Sequence, residues 1–365
     1  MGILEKIQEI EKEMSRTQKN KATESHLGTL KCKLAKYRTQ LLEGDKTEGG
    51  KGEGFEVVKS GDARVAMIGF PSVGKSSMLN VLTNTKSETA NYEFTTLTCV
   101  PGVIQYKGAN IQLLDLPGII EGAHQGKGRG RQVIGVARSA DVVLMMLDAS
   151  KGDVHRAILE KELFNCGIRL NCRKPNIYLK VKSSGGRKYN SMGAVDILDE
   201  KTCFAIFQEY RIHNFELLIK DGKCTTDDLI DVIEGNRVYM PCVYCYNKVD
   251  CLDMEELEKF ATQPHSVVTS ISLGLNMDYL LATIWRYLKI CRVFTKPRGG
   301  KPSFENPLIM RSGATVEDVC HGVHRSMADK FKYALVWGTS AKHYPQRVGL
   351  KHLVEDEDVV QIMVK

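Results

Sequence analysis

The sequence predicts an α/β fold built on a mostly parallel sheet. Three observations carry that prediction. Arg64-Val65-Ala66-Met67-Ile68-Gly69 is an apolar run that opens into a loop with two glycines and then into a helical pattern, Lys75 to Thr83. Val142 to Leu147, bracketed by Asp141 and Asp148, is an unbroken apolar run, as a parallel strand buried on both faces requires. Strands then alternate with helical patterns up to about residue 290, the signature of a parallel sheet with crossover helices.

The elements follow in order. Residues 1–43 predict a helical hairpin: Ile3, Leu4, Ile7, Ile10 and Met14 share one helix face, and Leu27, Leu30, Leu34, Tyr37 and Leu41 share another. Residues 44–61, rich in Gly and charge, form a linker. The core, 62–290, continues with strands over Val100–Tyr106 and Ile111–Leu116, then the strand ending at Asp148 and a helix over Val154–Cys166. The next apolar strand, Tyr239–Tyr246, comes far too late for a single crossover, so about 172–235 is an inserted small α/β module. It reads as a strand near Asn176–Val181, a loop at 182–191, a helix over Glu200–Tyr210, a strand over Glu216–Lys220 and a helix capped by Thr225 or Thr226. A helix (Met254–Phe260), a strand (Ser266–Thr269) and a helix (277–290) close the core. Residues 291–365 read strand, strand, helix (Val316–Lys330), strand (Tyr333–Trp337) and strand (Asp358–Val364), an order that suits a β-grasp module.

Bulk properties exclude several classes. The 365 residues are too many for one core. No apolar run reaches the roughly 18 residues of a membrane span, and the start Met1-Gly2-Ile3-Leu4-Glu5-Lys6 offers neither a signal-peptide core nor a myristoylation signal. Eleven scattered cysteines without a secretory signal indicate reduced thiols and a cytoplasmic protein. Cys242 and Cys245, three apart on a strand, point to opposite faces and read as core; His321 and His324 read as ordinary helix surface. The net charge of +7 permits RNA as a partner; no DNA is expected.

Three motifs carry the chemistry. Gly69-Phe70-Pro71-Ser72-Val73-Gly74-Lys75-Ser76 follows a strand and precedes a helix, the context of a phosphate-binding loop. Its glycines let the backbone wrap a phosphate chain at a helix N-terminus, Lys75 reaches the β and γ phosphates, and the Ser76 hydroxyl ligates Mg²⁺. Asp115-Leu116-Pro117-Gly118 supplies a carboxylate that holds Mg²⁺ through water and a Gly118 N–H for the γ-phosphate. Between them lies Phe94-Thr95-Thr96-Leu97-Thr98, placed as a switch loop, where one of Thr95 and Thr96 closes on Mg²⁺. Asn247-Lys248-Val249-Asp250 chooses the base: a carboxylate accepts from guanine N1–H and the 2-amino group, which adenine lacks. Ser270-Ile271-Ser272 is placed to offer N–H groups to guanine O6. The set implies a protein that binds and hydrolyses GTP. After Gly118 stands Ile119, where many small GTPases have a water-orienting Gln, so intrinsic turnover is expected to be slow. Gly126-Lys127-Gly128-Arg129-Gly130-Arg131 reads as a basic switch segment.

These segments, with Leu116-Pro117-Gly118-Ile119-Ile120-Glu121-Gly122-Ala123 and Phe331-Lys332-Tyr333-Ala334-Leu335-Val336-Trp337-Gly338, resemble the developmentally regulated GTP-binding (DRG) proteins, an Obg-related GTPase family. The resemblance spans the chain, and the start Gly2 to Ile7 and Asp148 to Gly152 look closer to the second eukaryotic paralogue. It implies an insertion resembling a ribosomal-protein domain, a C-terminal TGS domain, and Ser76 and Thr96 as the Mg²⁺ ligands. It also implies ribosome or RNA association and a zinc-finger DRG family regulatory protein as partner. Relatives with potassium-assisted hydrolysis often carry Asn at the position of Ser72, which bears on any K⁺ dependence; Ile271 stands where Ala or Cys is usual. Two functions fit this sequence: a slow GTP hydrolase whose nucleotide state controls ribosome or RNA association, and an RNA- or protein-binding adaptor in which GTP is structural.

Overall fold

The computed structural model describes residues 2–18, 20–21, 23–43, 61–83, 101–116, 130–193 and 198–364. The linker and the expected roles of Phe94, Thr95, Thr96, Leu97, Thr98, Pro117, Gly118 and Ile119 therefore lie outside the described residues.

Along the chain run α1 (Ile3–Arg16), α2 (Glu24–Glu43), β1 (Ala63–Ile68), α3 (Lys75–Thr83), β2 (Pro101–Tyr106) and β3 (Ala109–Asp115). Next come α4 (Gly130–Arg138), β4 (Val142–Asp148), α5 (Val154–Asn165), β5 (Ile168–Leu170), β6 (Ile177–Val181), β7 (Arg187–Ser191), α6 (Glu200–Glu209) and β8 (Phe215–Ile219). They are followed by α7 (Thr226–Glu234), β9 (Val238–Met240), β10 (Cys242–Asn247), α8 (Met254–Ala261), β11 (Ser266–Val268) and α9 (Met277–Leu288). The last segment holds β12 (Ile290–Thr295), β13 (Leu308–Arg311), α10 (Val316–Val323), α11 (Arg325–Asp329), β14 (Phe331–Trp337), β15 (Gln346–Val348) and β16 (Asp358–Val364). The described residues fall into two compact units. One takes the described residues within 1–56, 118–138 and 153–240; the other those within 57–117, 139–152 and 241–365.

The second unit holds a six-stranded sheet in the order β11-β10-β4-β1-β3-β2, parallel except for the β2–β3 hairpin. Every residue of β1, β4 and β10 is buried, which is why these strands read as continuous apolar runs rather than alternating ones. Met78, Leu79 and Leu82 of α3 and Leu280, Ile284 and Leu288 of α9 pack with them in one core. A second sheet, β13-β12-β16-β14-β15, is joined in parallel only at β12–β16. α10 packs Val316, Val319 and Cys320 onto it, completing the β-grasp arrangement.

In the other unit Ile10 of α1 meets Leu30 and Leu34 of α2, the pairing the helical spacing predicts. Cys32 of α2 joins the core of the inserted module, among Phe207, Phe215 and Leu229. The module's sheet runs β6-β8-β7. Arg169 makes a bidentate pair with Asp231 at 2.7 and 2.7 Å, with both side chains over nine-tenths buried.

Four readings need correction. The stretch 182–191 is not all loop: Arg187–Ser191 forms β7, parallel to β8, its exposed polar residues concealing it from an apolar search. The run Tyr239–Tyr246 is two strands, β9 pairing with β5 and β10 pairing with β4, divided at Pro241, which has no N–H to donate. The helix expected over Val316–Lys330 breaks at His324, which is extended (φ −165°, ψ 138°) and whose ring accepts from the Ser326 N–H to start α11. His321 and His324 therefore do not share a helix. Gly130 and Arg131 belong to the backbone of α4 rather than to the preceding basic segment.

Candidate nucleotide-binding site

The site residues described here all lie at the C-terminal ends of the parallel strands and in the loops that follow them. β1 ends at Ile68 and leads into Gly69–Gly74, after which Lys75 opens α3. Close approach explains the glycines. A Cβ on Gly69 would stand 2.5 Å from the Met146 carbonyl oxygen; one on Gly74, at φ +100°, would stand 2.6 Å from Asn247 Nδ2. Ser72 adopts the same left-handed region, φ 63°.

Lys75 folds over its own loop, its Nζ donating to the Gly69 and Phe70 carbonyls at 2.8 and 2.9 Å. Burial lowers its pKa, and the neighbouring Asp115 partly opposes this. Asp115 ends β3. Its Oδ2 accepts from the Ser76 hydroxyl at 3.1 Å. Its Oδ1 is buried and finds no donor among the described residues. An acceptor left so in a protein interior is costly, and a cation or its water shell satisfies it. The hydroxyl and carboxylate thus fit a hard divalent ion such as Mg²⁺.

On the base side, Asn247 ends β10 and is 4 % exposed. Its Nδ2 donates to the Val73 carbonyl at 2.9 Å and its Oδ1 accepts the Ile271 N–H at 3.1 Å. One side chain therefore ties the phosphate loop to the 270–272 loop. The Ile271 N–H expected to face guanine O6 is engaged by Asn247, and the Ile271 side chain packs into the main core. Asp250 is exposed, and its Oδ1 accepts from the Ser270 hydroxyl at 2.5 Å. That bond is the first cause holding its carboxyl below the usual range. Ser270 thus acts on Asp250 through its hydroxyl, with Ser272 Oγ 3.0 Å from Ser270 Oγ, a role sequence reasoning missed.

Asp148 was also missed. It ends β4, is 3 % exposed, and accepts from Lys248 Nζ at 2.7 Å and from the Ser150 N–H and hydroxyl at 3.1 and 2.6 Å. Burial works against its charge, yet the bonds from Lys248 and Ser150 prevail and lower its pKa. Lys248 itself is left-handed, φ 66°. The available signal was a lone carboxylate closing an apolar run.

Among the described residues no group of three or more His, Cys, Asp or Glu is arranged to hold a metal, and no helix is long and apolar enough to cross a membrane. Cys242 and Cys245 are fully buried.

Fold and site together define a P-loop guanine-nucleotide-binding protein of the GTPase class. The family model described as 50S ribosome-binding GTPase matches residues 64–180, the C-terminal region of that domain matches 184–290, and the TGS domain matches 291–364. The chain belongs to the developmentally regulated GTP-binding protein family. It is 64% identical over 365 residues, the whole of both chains, to Developmentally-regulated GTP-binding protein 2 of Homo sapiens and of Mus musculus. It is 59% identical, again over both full lengths, to the Developmentally-regulated GTP-binding protein 2 homolog of Dictyostelium discoideum. Among solved structures, the Schizosaccharomyces pombe YchF GTPase aligns with a TM-score of 0.48 at 13% identity, covering 84% of this chain and 98% of that one.

Proposed function

We propose that this protein hydrolyses GTP slowly with Mg²⁺ and uses its nucleotide state to control association with the ribosome or RNA in the cytoplasm. The observation that carries the reading is the Ser76–Asp115 pair, whose second carboxylate oxygen is buried without a donor. Ser76 directly follows Lys75 at the start of α3, and Asp115 ends β3. In this reading Lys75 exchanges the Gly69 and Phe70 carbonyls for phosphate oxygens, and the amides of the loop and the α3 N-terminus cradle the chain. Ser76 and Thr96 would hold Mg²⁺ with the Asp115 carboxylate close by, and the ion, when bound, would offset the charge that develops on the phosphates. Gly118 offers its N–H to the γ-phosphate. Asp250 accepts from guanine, and the stem of Lys248, held by Asp148, lies along the base. Ile119 cannot orient the attacking water, so turnover is slow unless a partner or a potassium ion assists.

The ribosomal part of the proposal draws support from the description of the matching family model, together with the net charge of +7. The proposed protein partner is a DRG family regulatory protein. A second reading, an adaptor for which GTP is a structural ligand, is favoured by Ile119 alone.

Single-turnover GTP hydrolysis, in sodium and in potassium and with or without ribosomes, separates the two, with Lys75→Ala as control. Hydrolysis above the control supports the enzyme. A rate equal to the control in every condition leaves the adaptor. Ribosome co-sedimentation that does not differ between GDP and a GTP analogue overturns nucleotide-controlled association.

A further inference from the structure

A cavity of about 360 Å³ lies within the first unit, among α1, α2, α5 and α7, lined by residues that none of the nucleotide chemistry uses. We propose that it binds a small organic anion, with a phosphate or carboxylate headgroup on Arg38 and Lys161 and an apolar body against Leu34 and Ile230.

The argument is a count of donors and acceptors. Three carboxylates line the cavity, and each is already engaged. Glu11 accepts from Arg38 Nη2 at 2.7 Å, and Asp227 accepts from Lys31 at 2.6 Å. Asp231 serves Arg169 twice, Arg237 at 3.3 Å and the Tyr239 hydroxyl at 3.0 Å. Against these stand five cations, Lys31, Arg38, Lys161, Arg169 and Arg237. Arg38 Nη1 uses the neutral Asn165 amide oxygen at 2.7 Å, and Arg38 Nε is buried with no partner. Lys161, exposed at the rim, has no acceptor among the described residues. Burial lowers the pKa of Arg38, and neither Glu11 nor the nearby Glu162 of α5 restores it. The cavity therefore carries a surplus of cations over carboxylates, five against three. A guanidinium suits a planar or tetrahedral oxyanion. Met14, Leu34 and Ile230 give the same space an apolar wall, and the volume lies in the range of small-molecule sites.

The test is calorimetric titration of the full-length protein saturated with GDP. The probes are phenyl phosphate, benzoate and inorganic phosphate. Saturable binding of phenyl phosphate or benzoate is expected, tighter than inorganic phosphate, and the order of the two organic probes identifies the headgroup. Arg38→Met should weaken binding at least tenfold, the scale of one charge-assisted hydrogen bond. Lys161→Glu, at an exposed position that leaves packing untouched, should weaken it several-fold even if Arg38→Met fails to fold. Binding should persist in Lys75→Ala. No binding up to millimolar probe, binding indifferent to Lys161→Glu, or binding abolished by Lys75→Ala each overturns the proposal, the last by assigning the probe to the phosphate loop.

Discussion

Asn247 shows how much one side chain can hold. Its amide donates to the Val73 carbonyl and accepts from the Ile271 N–H, so the phosphate loop and the 270–272 loop share a buried brace. Asn247→Ala leaves both backbone groups without that buried partner. The expected loss is about 1–3 kcal/mol of stability, read from urea melts, with a parallel loss of GDP affinity. Gly74→Ala is expected to do more damage to affinity, because its Cβ would meet the Asn247 amide at 2.6 Å in a left-handed conformation. Titration with a fluorescent GDP analogue checks this, and wild-type affinity in Gly74→Ala would refute the geometry. Asp250→Asn reverses one acceptor and should turn preference from guanosine toward xanthosine nucleotides, measured by competition; an unchanged preference would remove Asp250 from base recognition.

At the scale of elements, local chemistry decides where each segment starts. Thr225 caps α7 through a reciprocal pair of bonds with Asp228, and Thr315 caps α10 in the same way with Asp318. Thr225→Ala should cost about 1 kcal/mol, within the range of about 0.5–2 kcal/mol for lost caps, seen as a lower urea midpoint at unchanged slope. The fully buried strands were legible in the sequence as unbroken apolar runs, and α1 by its helical spacing of apolar residues. β7 was not, since Arg187, Lys188, Asn190 and Ser191 are exposed and only Tyr189 is partly buried. The split at Pro241 is a matter of partner choice: β9 and β10 have different neighbours, and no local apolar pattern reveals which strand each will join. The break at His324 depends on a ring nitrogen accepting from a backbone two residues on, which composition does not announce. Site residues brought together by motif were legible one by one. Their mutual bonds, Asn247 to Val73, Asp148 to Lys248 and Ser270 to Asp250, arise from distant segments meeting at one end of the sheet.

Across the whole molecule two solution properties follow. Asp148, Asp199, Asp318 and Asp356 all have pKa values below the ordinary carboxylate range. Each therefore binds a proton less readily folded than unfolded. Their stabilisation is full above an unfolded pKa of about 3.9 and is lost as pH falls through the folded values. Urea melts should be nearly flat in this contribution from pH 7 to 5 and weaken below about pH 4. Asp356→Asn, which removes the carboxylate held by Arg292 at 2.7 Å, should shallow that slope.

The thiols provide a second, sharper map. Burial pushes Cys32, Cys166, Cys203 and Cys245 up to about 12, so they carry almost no thiolate at neutral pH and are shielded as well. Among the described cysteines only Cys172 and Cys251 are exposed. A maleimide pulse on native protein, followed by peptide mass analysis, should label these two rapidly and the buried set only after unfolding. Cys251 directly follows Asp250, its Sγ 3.8 Å from that carboxylate, whereas Cys172 follows β5 in the other unit. Saturating GDP should therefore slow labelling at Cys251 and leave Cys172 unchanged. Equal protection at both would mean that nucleotide acts by general tightening. No protection at Cys251, with GDP bound, would place the purine away from Asp250 and remove the basis for guanine selection.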